Sequence, residues 1–167
     1  MWLSKAFFLG AIMLAACGFT PAYAPGGGGT ALQNTVLAAE PRDKPAFDLV
    51  ERLEERLGPS DSPLYGLSYR IALNPVGLGI TPDNAVTRYS LIGVVEWELT
   101  DVTTRARLTG GKIENFTSYS ATGSTVAGLA AQEDAAQRLM RIIADQIVSQ
   151  LLATSGQWAA AARPVTE

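Results

Sequence analysis

Leu139, Ile143, Ile147 and Leu151 recur every four residues, flanked by Ile142, Val148 and Leu152, while Gln137, Arg138, Arg141, Asp145 and Gln150 fall mostly on the other side. An apolar stripe at that spacing defines an amphipathic helix, here over residues 125–154, and a stripe that long needs a second apolar layer to lie on. A membrane surface is one candidate for that layer and a β-sheet of the same chain is the other. The sheet is preferred, because the strands described next would otherwise lack a cover. Small residues open the helix (Ala127, Gly128, Ala130, Ala131) and would permit close approach to a neighbour.

The strands show as period-two alternation. Leu67, Tyr69, Ile71 and Leu73 alternate with Ser68, Arg70 and Ala72, and Asn74-Pro75 closes the run. A longer strand follows from Thr87 to Thr100, with Tyr89, Leu91, Val95, Trp97 and Leu99 on one face and Arg88, Ser90, Glu96 and Glu98 on the other. A turn at Asp101 to Thr104 leads into a third strand, 105–119, where Gly110-Gly111 predicts a bulge or bend. Upstream, Phe47, Val50, Leu53 and Leu57 give a second helical stripe with Leu49 beside them; Asp43 can cap it, Pro45 fits its first turn and Gly58-Pro59 ends it. Leu32 to Ala39 can form a short strand ahead of it. The order strand, helix, three strands, helix predicts an α+β fold: two helices packed on one face of a mixed four-stranded sheet, with the other face free.

Ahead of this body the chain reads as an address. Lys5 is followed by the apolar run Ala6 to Leu14 and the small residues Ala15 and Ala16, the pattern of a secretory signal peptide over 1–16. As a helix the nine apolar residues would rise about 14 Å against a hydrocarbon core of roughly 30 Å, too short for a permanent span. Leu14-Ala15-Ala16-Cys17 then resembles the lipobox of bacterial lipoproteins, in which the cysteine is acylated and becomes the new N-terminus. Cys17 is the only cysteine of the chain, so it has no disulfide partner here, and a thiolate is the nucleophile that such chemistry needs. Gly18, in place of the aspartate that retains many enteric lipoproteins in the inner membrane, points to the outer one. Several acyl chains anchor where a single one binds marginally. Residues 17–31, with Pro21, Pro25 and the tetraglycine 26–29, read as a flexible tether; 32–154 is the folded domain and 155–167 a loosely ordered tail.

Composition removes most enzyme classes. The chain has no histidine, which excludes Ser-His-Asp and Cys-His catalysis and the commonest zinc ligand. A formal net charge of −3 without a basic tract is unsuited to nucleic acid. Glu96 and Glu98 share a strand face but nothing nearby would separate their acidities, so a solvated face is the preferred reading. Thr109-Gly110-Gly111-Lys112 fails as a phosphate loop because Ala106 and Ile113 stand where a glycine and a hydroxyl belong. The tetraglycine lacks the following Lys-Ser/Thr, and Asn115-Phe116-Thr117 is a chance sequon in a bacterial lipoprotein. No catalytic residue, metal site or cofactor is expected, and the chain is not expected to be an enzyme.

Several pieces in order resemble the LPS-assembly lipoprotein family LptE, in its alphaproteobacterial form. They are Cys17-Gly18-Phe19-Thr20-Pro21, Gly79-Ile80-Thr81-Pro82-Asp83 leading to Arg88-Tyr89-Ser90-Leu91, Trp97-Glu98-Leu99-Thr100-Asp101, Ser118-Tyr119, Glu133 to Leu139 and Ala144-Asp145-Gln146-Ile147. The resemblance implies a lipoprotein held at the periplasmic side of the outer membrane, acting as plug and assembly partner of the LptD barrel and contacting lipopolysaccharide on its way to the outer leaflet. For that contact Arg88, Arg105, Arg107 and Lys112 are the candidate cations, since guanidinium forks suit phosphate oxygens; ordinary solvated strand charges are the alternative. The hairpin tip Thr81 to Asn84 lacks the basic residue that some enteric members carry there. The rival function is an auxiliary lipoprotein of an ABC-type lipid transport system.

Overall fold

A computed structural model describes residues 28–80, 86–121 and 124–158. The elements run α1 (Gly28–Leu32), β1 (Val36–Ala38), α2 (Lys44–Leu57), β2 (Tyr65–Ile80), β3 (Val86–Asp101), β4 (Arg107–Ser120) and α3 (Thr125–Trp158). The strands lie in the order β1-β2-β3-β4. β1 runs parallel to β2 and the other neighbours are antiparallel, so the sheet is mixed and α2 is the crossover that a parallel pair requires. The expected α+β architecture, two long helices on one face of a four-stranded sheet, is what the chain adopts.

The local chemistry explains the boundaries. The Asp43 carboxylate accepts the Ala46 N–H at 2.9 Å at the start of α2, and Gly58 ends it at φ 79°, its N–H donating to the Glu54 carbonyl. Within α2 the buried positions are Ala46, Leu49, Val50, Leu53 and Leu57, together with Asp48. Phe47, counted in the apolar stripe from spacing, is 53% exposed: it stands about 100° around the helix from Ala46, on the solvent side. The buried Asp48 carboxylate is ion-paired with Lys44, whose ammonium that hydrogen bond holds above its ordinary pKa.

α3 buries two rows. Ala135, Leu139, Ile143, Ile147 and Leu151 lie on the sheet side, and Met140, Ala144 and Val148 form the second row, on the flank from which Asp145 reaches α2. Gly93 permits the close approach, since a Cβ there would meet Leu139 Cδ2 at 2.8 Å. Ile142 stays 39% exposed, outside both rows. The small residues that open the helix form no packing seam: Ala127 and Ala130 are exposed and nothing lies within 4 Å of a Cβ placed on Gly128. At its other end α3 continues past Thr154, because Ser155 and Trp158 are buried and the Trp158 ring meets Tyr65 edge-on at 5.1 Å. The chain is also helical already at Gly28–Leu32, inside the stretch that composition reads as tether, where Leu32 is fully buried. Cys17 and the signal segment lie outside the described residues.

Two strand expectations change. β2 does not stop at Asn74-Pro75 but pairs with β3 as far as Ile80. β1 pairs with β2 only through Val36–Ala38, so among the described residues β2 is an edge from Tyr69 onward, and an edge accepts a proline whose missing N–H faces outward. Nor do Gly110 and Gly111 form a bulge. The β3–β4 register runs unbroken through them and shifts instead between Leu99 and Thr100. The crowding is at Gly110, where a Cβ would meet the Trp97 backbone carbonyl at 2.8 Å; at Gly111 a Cβ would fit tightly, 3.2 Å from Gln150 Oε1 and 3.3 Å from Trp97 Nε1. The Trp97 indole N–H is buried with no hydrogen-bond partner among the described residues.

Candidate functional site

With α2 and α3 on one face, strand alternation sends the other set of side chains outward, and cross-strand pairing arranges them in rows. Ser68, Glu98 and Gly110 form one row, Arg70, Glu96 and Lys112 the next, then Ala72, Val94 and Glu114, and then Asn74, Ile92 and Phe116. The face therefore has two halves. The half nearer the β3–β4 turn carries charge of both signs. The half nearer the β2–β3 hairpin is largely apolar, and Phe116 there is 65% exposed.

In the charged half, Arg107 Nε lies 3.1 Å from Glu98 Oε2 and Arg70 Nη1 lies 3.7 Å from Glu96 Oε2. Lys112 stands opposite Glu96 in register yet forms no ion pair among the described residues. The three cations border a shallow depression of about 490 Å³ whose floor includes Ser68 and Gly111. A second hollow of about 270 Å³, lined by Ser90, Ile92 and Phe116 among others, lies in the apolar half. Every ion pair of this face is substantially exposed, so each is weak and readily exchanged for a stronger anion.

The four cations singled out from sequence do not form one cluster. Arg107 and Lys112 share the charged half. Arg105 stands beside them in the β3–β4 turn, at φ 61°, with its N–H donating to the Asp101 carbonyl. That turn is held by Asp101, whose Oδ1 accepts from the N–H groups of Thr103 at 2.9 Å and Thr104 at 2.7 Å; these bonds hold its carboxyl below the ordinary pKa. Arg88 is elsewhere. It pairs with Gly79 and Ser120 at the hairpin end, eight residues along β3 from Glu96 and so about 27 Å away. Arg70 belongs to the charged half and was not singled out. Only the pairing register, which puts β2 beside β3 with Arg70 opposite Glu96, brings it in. Glu96 and Glu98 are partners of these cations, in keeping with the solvated-face reading. Among the described residues no three potential ligands converge on a metal position, and no helix is long and apolar enough to cross a membrane.

Comparison with known proteins places this arrangement. Residues 35–151 match the family model LptE, described as lipopolysaccharide-assembly. Among solved structures, one described as a lipoprotein from Caulobacter crescentus CB15 is 26% identical, with a TM-score of 0.60 over 83% of this chain and 98% of that one. Rare lipoprotein B from Shewanella oneidensis shares the fold at 19% identity and TM-score 0.56, covering 72% of this chain and 93% of its own. Lipoprotein B from Nitrosomonas europaea does so at 14% identity and TM-score 0.54, over 79% and 89%. A search of curated proteins finds no match.

Proposed function

Because this chain belongs to the LptE lipopolysaccharide-assembly family, we propose that it works at the periplasmic side of the outer membrane as plug and assembly partner of the LptD barrel. The family match over residues 35–151 is the observation that carries this reading. Acylation of Cys17 would supply the anchor. A four-stranded sheet with one helix-covered face is a body able to fill a barrel lumen, and the polar interior of large barrels suits its charged surface.

Lipopolysaccharide combines phosphates with acyl chains, and the free sheet face places exchangeable cations beside an apolar half. We assign phosphate contact to the end bearing Arg105, Arg107 and Lys112, with Arg70 as their neighbour, and keep Arg88 as a separate contact at the hairpin end. The role is binding, without a covalent step.

The test is depletion of the protein in cells, with mature LptD and surface lipopolysaccharide as readouts. Loss of both is expected; unchanged levels of both would end the proposal. Co-purification from solubilised membranes should recover a barrel, whereas recovery of an ATPase and permease would replace this reading with the transporter alternative. For the contact residues, Arg105→Glu with Arg107→Glu should weaken lipopolysaccharide binding, and unaltered binding would remove the site.

A further inference from the structure

The two long edges of the sheet differ. Past its short contact with β1, β2 presents Pro75 at its edge, a residue that obstructs strand addition. β4 has no proline and, among the described residues, no strand beyond it. Its backbone polarity can be read from three contacts. Ala121 N–H donates to the Thr87 carbonyl, so odd-numbered residues bond β4 to β3. Even-numbered groups therefore point outward, as Phe116 N–H does towards Asn115 Oδ1 and the Ser118 carbonyl towards Arg138 Nη2. Those two contacts cap one end of the edge. Gly110, Lys112 and Glu114 have no such caps among the described residues.

We propose that this edge pairs antiparallel with the β4 strand of a second copy, about a two-fold axis through Ile113, joining two sheets into one. The side chains select the register. With the axis at Ile113, Lys112 faces the partner's Glu114 and Glu114 faces the partner's Lys112, each couple exchanging both main-chain hydrogen bonds. Phe116 then lies across from the partner's Gly110, whose N–H can donate to the outward Phe116 carbonyl while the Phe116 N–H keeps its bond to Asn115 Oδ1, and the aromatic ring covers the glycine. An axis on Lys112 or on Glu114 would set like charges opposite each other. An axis on Gly111 would leave Lys112 facing the partner's Gly110 and Glu114 facing the partner's Leu108, without charge compensation. An axis on Asn115 runs into the capped end.

The helix layer agrees. Arg138 reaches the outer carbonyl of Ser118, so that flank of α3 lies over the β4 edge, and Ile142 one turn further along the same flank is 39% exposed. In the paired form Ile142 of each copy stands on the flank turned towards the other copy. The same surface is used twice, as a closed two-fold contact requires. This self-pairing is a state of the chain outside any barrel; it goes beyond the lipopolysaccharide-assembly reading and does not depend on it.

The experiment is sedimentation equilibrium of the full-length chain with detergent micelles in excess and no lipopolysaccharide present. Wild type should self-associate. Lys112→Glu or Glu114→Lys alone should weaken association by roughly tenfold or more, since two symmetric pairs become repulsive at once. The double variant Lys112→Glu/Glu114→Lys should restore it. Far-UV circular dichroism identical to wild type establishes that each variant folds. A readout that needs no variant is amide exchange of Lys112 and Glu114, which should slow as wild-type concentration rises. A wild-type chain that stays monomeric, exchange independent of concentration, or a double variant no tighter than the singles would each overturn the proposal.

Discussion

Arg52 and Asp145 meet side on, with Nε 3.1 Å from Oδ1 and Nη2 3.0 Å from Oδ2, across the seam between α2 and α3. Glu55 Oε2 accepts from Arg52 Nη1 at 2.9 Å and Arg56 approaches the same aspartate at 3.5 Å. The carboxylates hold the guanidinium above its ordinary pKa, the hydrogen bond to Asp145 foremost. The pair is partly exposed, at 28% and 38%, so solvent screens it. Asp145→Ala should cost no more than about 1 kcal/mol in chemical denaturation, and the loss should shrink in high salt. A larger, salt-independent loss would mean that Asp145 acts through packing.

Gly93 and Leu139 should behave as one unit. A methyl on Gly93 collides with the Leu139 side chain and comes within 3.2 Å of Leu73 Cδ2, so Gly93→Ala should destabilise by about 1–3 kcal/mol. In Leu139→Ala the space is vacated. The double variant should then lose less than the sum of the singles, by an interaction energy of roughly 0.5–3 kcal/mol. Strict additivity of the unfolding free energies would contradict the contact.

The β3–β4 turn carries the acid sensitivity. Asp101 has a depressed pKa in the fold, caused by the bonds from Thr104 and Thr103. Its contribution is therefore present above the unfolded pKa, about 3.9, and disappears as pH falls through the lower folded value. NMR titration should place the Asp101 carboxyl below ordinary aspartates. The Thr103 and Thr104 amide shifts should stay constant through neutral pH and move only in that acid window; movement near pH 6 would refute the assignment.

Cys17→Ser should abolish acylation. Mass spectrometry of the membrane-extracted chain should show the mass of diacylglycerol and an amide-linked chain on wild type and neither on the variant. An unmodified thiol on wild type would remove the anchor from the proposed function.

The fold was legible wherever burial follows a period. The α3 stripe from Leu139 to Leu151, the cap at Asp43 and the alternation of Tyr89 to Leu99 are all written in spacing, and they suffice for two helices on a sheet. Spacing misled where tertiary context overrides it. Pro75 ends a strand only if a neighbour needs its N–H, and among the described residues no neighbour strand lies on that side. Gly110-Gly111 signals a bulge only if the glycines bend the backbone, whereas Gly110 makes room for the Trp97 carbonyl of the neighbouring strand. Phe47 looks like core until the phase of α2 is set by Ala46. The site was harder. Arg107 and Lys112 could be found because both stand on β4, but Arg70 is joined to them by pairing across two strands, which no local pattern encodes.

The β2–β3 hairpin runs beyond its cover. In β3 the last buried residues towards its tip are Ser90 and Leu91, in β2 the last is Leu67, and Val76 and Leu78 are 38% and 60% exposed. Strands held there mainly by their ladders, with β3 paired to β4 as well as to β2 as far as Arg88, cannot be as stable as the same strands under helices, and β2, which has β3 alone beside it, is the weaker of them. Thermal fraying should accordingly travel down from the tip and halt at Leu91, giving the molecule a soft end and a hard end, so that a force applied at the hairpin would peel it before the helices part.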